Sequence, residues 1–76
     1  MSKVLEILTG IRPEFDFATS EDFFEDGLLD SFDLVTLVAE LDEAYGISID
    51  GMHILPENFA NVAAIEAMLT RSGITP

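Results

Sequence analysis

The sequence has 76 residues, 49% of them hydrophobic, and a net charge of −12 from 15 acidic residues against three Lys and Arg. A chain this short buries only somewhat more than about 60% of its unfolded surface, which leaves little room for an enclosed active site, while its apolar content excludes a disordered acidic tail. The negative charge repels phosphate backbones and anionic lipid headgroups, which argues against nucleic acid and membrane and favours protein partners with basic patches.

The first predicted element is a helix over residues 2–11, which Ser2 caps and Pro13 stops, with Gly10 near its fraying end. Residues 12–30 show no sustained periodicity. A loop of this length in a small domain is expected to be functional or pinned by side chains. Six apolar residues could pin it: Phe15, Phe17, Phe23, Phe24, Leu28 and Leu29.

A second helix is the clearest element and is predicted to begin near Ser31 and end at Gly46. Its apolar residues fall on one arc of a helical wheel: Leu34, Leu37, Val38, Leu41 and Tyr45. Polar residues fall on the opposite arc: Asp33, Thr36, Glu40 and Glu43. This pattern predicts an amphipathic helix with its apolar side on the core.

Two further helical segments follow. Pro56 suits a first helical position and predicts one brief turn through Phe59, whereas "ISI" at 47–49 is too short and isolated for a strand. A last helix is predicted to open at Asn61 and close at Gly73, and to bury Val62, Ile65, Met68 and Leu69. The predicted fold is all-α: one domain over residues 1–76, a small antiparallel four-helix bundle with three main helices, one short helix and a long first loop.

Ser31 is the residue that raises a functional question. An Asp-Ser pair at the head of a helix usually serves as a cap, since either side chain can accept from the free N–H groups of the first turn. Phe32 lies on the polar arc, where a large exposed ring is typical of a contact surface. The alternative is that Phe32 folds back onto Leu28 or Leu29.

The second helix also carries acids that its dipole does not favour. Asp30 and Asp33 suit a helix N-terminus, but Glu40, Asp42 and Glu43 lie toward the other end. No Lys or Arg occurs between positions 13 and 70. The arrangement favours an electrostatic recognition face, although a solvated helix face is the common reading of any one such acid.

The run "DSFDLVTLVAELDEAYGISI" resembles the acyl carrier protein family. In that family an Asp-Ser-Leu motif opens the second helix, an apolar spine and an acidic face run along it, and it ends in an aromatic-Gly-Ile-x-Ile pattern. The similarity covers nearly the whole chain, from "EDFFEDGLLDS", like the family's first loop, to "PENFANVAAIEAML", like its third and fourth helices.

The resemblance implies that Ser31, preceded by Asp30, accepts a 4'-phosphopantetheine arm from coenzyme A. The base and Mg²⁺ for this step would come from a separate phosphopantetheinyl transferase, so the chain itself would not be an enzyme. Acyl or aminoacyl groups would be bound to the arm as thioesters. The implied partners are that transferase, activating ligases, and acyltransferases or synthases with basic patches.

The resemblance also implies a partner-binding face on the second helix. Asp33, Asp42 and Glu43 match acidic contact positions of the family, whereas Phe32 stands where Leu is usual. Thr36 replaces a frequent Glu and Ala39 a larger apolar residue, which favours a free-standing carrier with dedicated partners, similar to D-alanyl or secondary-pathway carriers, over a fatty-acid carrier. The predicted partner-binding set is Phe32, Asp33, Thr36, Ala39, Glu40, Asp42 and Glu43.

Two other functions remain open at this point. Asp22, Asp26 and Gly27 match the first, fifth and sixth positions of a calcium-binding EF-hand loop, but Phe24 occupies a ligand position and Asp33 stands where a bidentate Glu is usual. The second alternative is an acidic helical adaptor without covalent cargo.

The remaining expectations follow from what the composition lacks. With no Cys there are no disulfides or thiolate metal sites, and no stretch has the apolar length of a signal sequence or membrane span. We expect a cytoplasmic monomer. His53 stands alone in a connecting segment and is assigned no role, and no resident metal is predicted.

Overall fold

The computed structural model describes residues 3–76, and this part of the chain is all-helical, as predicted. The elements in chain order are α1 (Lys3–Ile11), α2 (Ser31–Tyr45), two single-turn 3-10 helices (Gly51–His53 and Pro56–Asn58) and α3 (Val62–Arg71). Residues 3–76 contain no strand, so the rejection of a strand at 47–49 is confirmed.

Most predicted helix ends are confirmed. The helix α1 ends at Ile11, while the predicted cap at Ser2 lies outside the described residues. Gly46 ends α2 in the left-handed conformation, at φ 63°. Asn61 caps α3 by accepting from the N–H of Ala64 at 2.7 Å.

The connection between α2 and α3 differs in part from the prediction. Pro56 begins a short helix as expected, but it is a 3-10 turn that ends at Asn58. The turn at Gly51–His53 was not predicted. Asp50 is its local signal, since the Asp50 carboxylate accepts from the N–H of Met52 at 2.9 Å and so caps the turn. Because only three α-helices form in residues 3–76, the four-helix bundle stays a prediction.

The core is shared by all three α-helices and the first loop. The helix α1 contacts both α2 and α3, and the Cα radius of gyration of 11.1 Å is close to the roughly 11 Å expected for this length. The buried apolar residues are Val4, Leu8, Phe17, Phe23, Leu29, Leu34, Leu37, Leu41, Phe59, Ile65, Met68 and Leu69.

Aromatic side chains pin the long first loop, as predicted. Phe17 and Phe23 are buried and pack edge to face, with ring centroids 5.1 Å apart. The N–H of Phe23 donates to the Ala60 carbonyl at 2.6 Å, and the Asn61 amide donates to the Glu21 carbonyl at 2.9 Å. The loop is thereby fastened to the start of α3, and its last residues lead directly into α2.

Candidate functional site

The N-terminus of α2 is closed by two aspartates that cap each other. Asp30 accepts from the N–H of Asp33 at 2.9 Å, and the Asp33 carboxylate accepts from the N–H of Asp30 at 3.4 Å. This capping box satisfies two backbone donors that a helix start otherwise leaves free. Since Asp30 supplies the cap, Ser31 is not needed for it.

Ser31 is the first residue of α2 and is exposed. No described residue hydrogen-bonds to its hydroxyl. Asp30 lies before it in the chain and is also exposed. The hydroxyl is therefore presented to solvent at a fixed helix start, with no nucleophile-activating base bonded to it.

Asp33 differs from its prediction. It was placed on the polar side of α2, but only 5% of its surface is exposed, because Arg12 at the end of α1 covers it. Nη2 of Arg12 lies 3.0 Å from Oδ1 and 3.1 Å from Oδ2 of Asp33, and Nε lies 3.3 Å from Oδ2. The expectation of a solvent-facing Asp33 was wrong, and its carboxylate is not free for a partner.

The same contact acts on Arg12. Its hydrogen bond to Asp33, followed by the negative charge of that carboxylate, raises the pKa of the Arg12 guanidinium above its ordinary value. The guanidinium is therefore charged at every accessible pH. Sequence reasoning missed this residue, because nothing in the local pattern connects position 12 with position 33.

The structure decides between the two alternatives for Phe32. Its side chain is 78% exposed and does not fold back onto Leu28 or Leu29. Val35, one turn further on, is 68% exposed and was not singled out from the sequence. The wheel does place Val35 outside the apolar arc, so the signal was present. Two large apolar side chains thus lie exposed within one turn of Ser31.

The acids of α2 fall into two groups. Glu40 and Glu43 are exposed, as predicted. Asp42 is half-buried, and its carboxylate accepts from the N–H of Ile49 at 2.9 Å, so it fastens the segment after α2. Asp42 was predicted to lie on a recognition face, but its carboxylate bonds within the chain, as that of Asp33 does.

The two other predicted partner-binding residues lie between these acids and Phe32. Ala39 is exposed and Thr36 is half-buried. The Thr36 hydroxyl donates to the Phe32 carbonyl at 3.4 Å, a bond within the helix. Exposed α2 residues therefore form a mixed apolar and acidic surface, defined by Phe32, Val35, Ala39, Glu40 and Glu43, which we call the α2 face.

The EF-hand alternative receives no support. The Asp22 carboxylate accepts from the N–H of Phe24 and of Glu25, at 3.0 and 3.1 Å, which makes it a turn residue. Asp33, at the last ligand position, binds Arg12. Across residues 3–76, no group of three or more His, Cys, Asp or Glu side chains could hold a metal ion. None of the helices described there has the length and apolar character needed to cross a bilayer.

The fold and this helix start define a small all-helical domain that presents a serine. A model of the phosphopantetheine attachment site family matches residues 2–69. The chain belongs to that family, whose domains carry covalently attached 4'-phosphopantetheine and are non-catalytic carriers. The resemblance drawn from the sequence is thereby confirmed. Neither the curated proteins nor the solved structures gave a match to this chain.

Proposed function

We propose that Ser31 is the attachment point for the 4'-phosphopantetheine arm and that the chain carries acyl or aminoacyl groups on it. The observation that carries this proposal is the exposed Ser31 hydroxyl at the first position of α2, left free because Asp30 supplies the cap. The family match supplies the identity of the group. An accessible, unbonded hydroxyl fits a group that another enzyme must attach.

In the attachment step the Ser31 oxygen attacks the phosphorus of coenzyme A that bears the pantetheine. A new P–O bond forms, the pyrophosphate P–O bond breaks, and adenosine 3',5'-bisphosphate leaves. The hydroxyl proton passes to a base of the transferase, which also holds the Mg²⁺ that stabilises the charge. Once bound, the arm supplies a terminal thiol that forms thioesters with acyl or aminoacyl groups.

The α2 face is proposed as the surface that partner enzymes bind. Phe32 and Val35 offer apolar contact area close to the attachment point, and Glu40 and Glu43 are exposed acids on the same helix. A partner with an apolar pocket beside Lys or Arg side chains complements this surface in both shape and charge. Transferases, activating ligases and acyltransferases or synthases of this kind are the proposed partners.

The chain works as one carrier domain and as a cytoplasmic monomer. The absence of Cys suits a carrier function, because the thiol of the arm then has no competing thiol within the chain. The net charge of −12 opposes self-association at low ionic strength. Departures from the family at Thr36 and Ala39 support a carrier with dedicated partners, similar to D-alanyl or secondary-pathway carriers.

The test is modification of the purified chain by coenzyme A and a phosphopantetheinyl transferase of broad specificity, followed by intact mass measurement. We expect one arm to be added to the wild type and to Ser48→Ala, in which a different exposed serine is removed, and none to Ser31→Ala. An unmodified wild type, under conditions that label a known carrier completely, would overturn the proposal and favour a non-covalent adaptor. The mass of the protein from its own host would identify the cargo.

A further inference from the structure

The first turn of α2 is held from outside the helix by the end of α1. Arg12 and Asp33 are 21 positions apart, yet three of their nitrogen-oxygen pairs lie between 3.0 and 3.3 Å. Oδ2 of Asp33 also accepts from the N–H of Asp30, the residue before Ser31. One buried carboxylate therefore joins α1 to the cap of the helix that begins at Ser31.

A carboxylate in this position depends on its cation. Moving a charged group out of water is costly, and a nearly buried carboxylate keeps its place only when paired and hydrogen-bonded. Without Arg12, the Asp33 carboxylate is more stable when it turns toward water, and that movement breaks its bond with the N–H of Asp30. Half of the capping box is then lost, and a first turn capped by Asp30 alone frays more readily than one with both bonds.

We infer that Arg12, acting through Asp33, is a positioning residue for Ser31. The inference rests on the proposed function, because it assigns to Arg12 the task of fixing the hydroxyl that the transferase must reach. A transferase has to align that oxygen with a phosphorus atom, and a displacement of about 1 Å is enough to slow such a reaction strongly. Asp33 then serves the cap and the attachment step rather than partner binding.

If Arg12 acted only through its charge, it would slow the modification of Ser31 and not assist it. A basic transferase is repelled by a cation near Ser31, so removing that cation should speed association with the transferase if charge were its only contribution. Arg71 provides a matched control, because it also carries one positive charge. Its Nη2 lies 3.3 Å from Oδ1 of Asn58, far along the chain from α2.

The kinetic test compares Arg12→Gln, Arg12→Lys and Arg71→Gln as transferase substrates, at a temperature where every variant is fully folded by circular dichroism. We expect Arg12→Gln to lower kcat/KM about tenfold, mainly through kcat, because Ser31 is misplaced while the α2 face is intact. Arg12→Lys should recover part of the loss, since a lysine keeps the charge but not the forked contact. Arg71→Gln should stay within about twofold of the wild type.

Amide hydrogen exchange supplies a second readout that does not use the transferase. In Arg12→Gln the N–H groups of Asp30 and Asp33 should exchange at least about tenfold faster, while that of Phe23, which donates to the Ala60 carbonyl, is unchanged. Equal labelling and equal exchange in Arg12→Gln and Arg71→Gln would overturn the inference but leave the attachment at Ser31 intact. An unlabelled wild type would instead overturn the attachment, and the task assigned to Arg12 with it.

Discussion

The two ends of α2 are both held by α1, but through different chemistry. At the N-terminus, Arg12 binds the carboxylate of Asp33, which in turn holds the capping box. At the C-terminus, Nζ of Lys3 donates directly to the Ala44 carbonyl at 3.0 Å and lies 4.6 Å from the centre of the Tyr45 ring. Lys3, the first residue of α1, and Arg12, the residue after its end, thus supply a cation to each end of α2.

The two ends differ because a cation can bind the backbone directly at one end of a helix, whereas at the other end a carboxylate must lie between the cation and the backbone. A cation suits the negative C-terminal end of a helix dipole, so Lys3 acts on it directly. The N-terminal end disfavours a cation, and there a carboxylate stands between Arg12 and the backbone. At the N-terminal end the Asp33 carboxylate is buried and held by several hydrogen bonds, while the Lys3 contact at the C-terminal end is exposed. We therefore expect the N-terminal end to be the more sensitive to substitution.

The largest expected effect is that of Asp33→Ala. It removes an acceptor from the capping box and from Arg12, and should lower the free energy of unfolding by about 2 kcal/mol. Glu43→Ala, which removes an exposed acid at the other end of α2, should change it by less than about 0.5 kcal/mol or raise it slightly. Urea unfolding followed by far-UV circular dichroism measures both. Equal losses in the two variants would contradict the view that Asp33 is structural.

A smaller effect is expected at the other end, from Gly46→Ala. Gly46 has a φ of 63°, which an alanine adopts only with strain, so the variant should be less stable by about 1 kcal/mol. Nothing lies within 4 Å of a Cβ at Gly46, so the cost arises from the backbone alone.

Gly10→Ala is the matched control for that experiment. Gly10 lies inside α1, and a Cβ there also meets nothing within 4 Å. Alanine should therefore stabilise the protein by roughly 0.5 kcal/mol, because it is the better helix former. The midpoints of thermal unfolding should move in opposite directions, and a common direction would contradict the conformational explanation.

The smallest expected effect is on the free energy of unfolding at alkaline pH. Burial, assisted by the charge of Glu66, raises the pKa of the Tyr45 phenol above its ordinary value. As the pH rises past about 10, the unfolded chain loses this proton first, so stability should decline there and be unaffected below. Tyr45→Phe should reduce that decline.

Tyr45 is the only tyrosine, and the sequence has no tryptophan, so phenolate absorbance reports this group alone. The native protein should show its absorbance rise at a higher pH than the protein in urea. Coincident titration curves would show that the folded state does not perturb the phenol.

Much of the fold could be predicted from residues that act on the chain next to them. Gly46, Pro56 and Asn61 act through their own backbone or the turn beside them, so the sequence alone locates them. The periodicity of α2 likewise predicts the burial of Leu34, Leu37 and Leu41, whereas Val38 and Tyr45 on the same arc are only half-buried. The turn at Gly51–His53 was missed although its capping residue is local.

Contacts between distant segments account for what the sequence did not predict. A helical wheel assigns polar residues to water, but Asp33 is covered by Arg12, which follows the end of α1. Asp42 was taken for a surface acid because its partner, the Ile49 amide, lies beyond the end of α2. The position of Ser31 at the helix start was predictable, whereas the origin of its support in α1 was not.

Each of the three Lys and Arg side chains is already bonded to an oxygen atom of this chain: a carbonyl for Lys3, a carboxylate for Arg12 and an amide for Arg71. The chain as a whole keeps a net charge of −12. Dissolved counterions must therefore gather around the protein, and an enzyme with a basic surface sets them free when it docks. Their release favours docking entropically, and its contribution diminishes as the salt concentration rises.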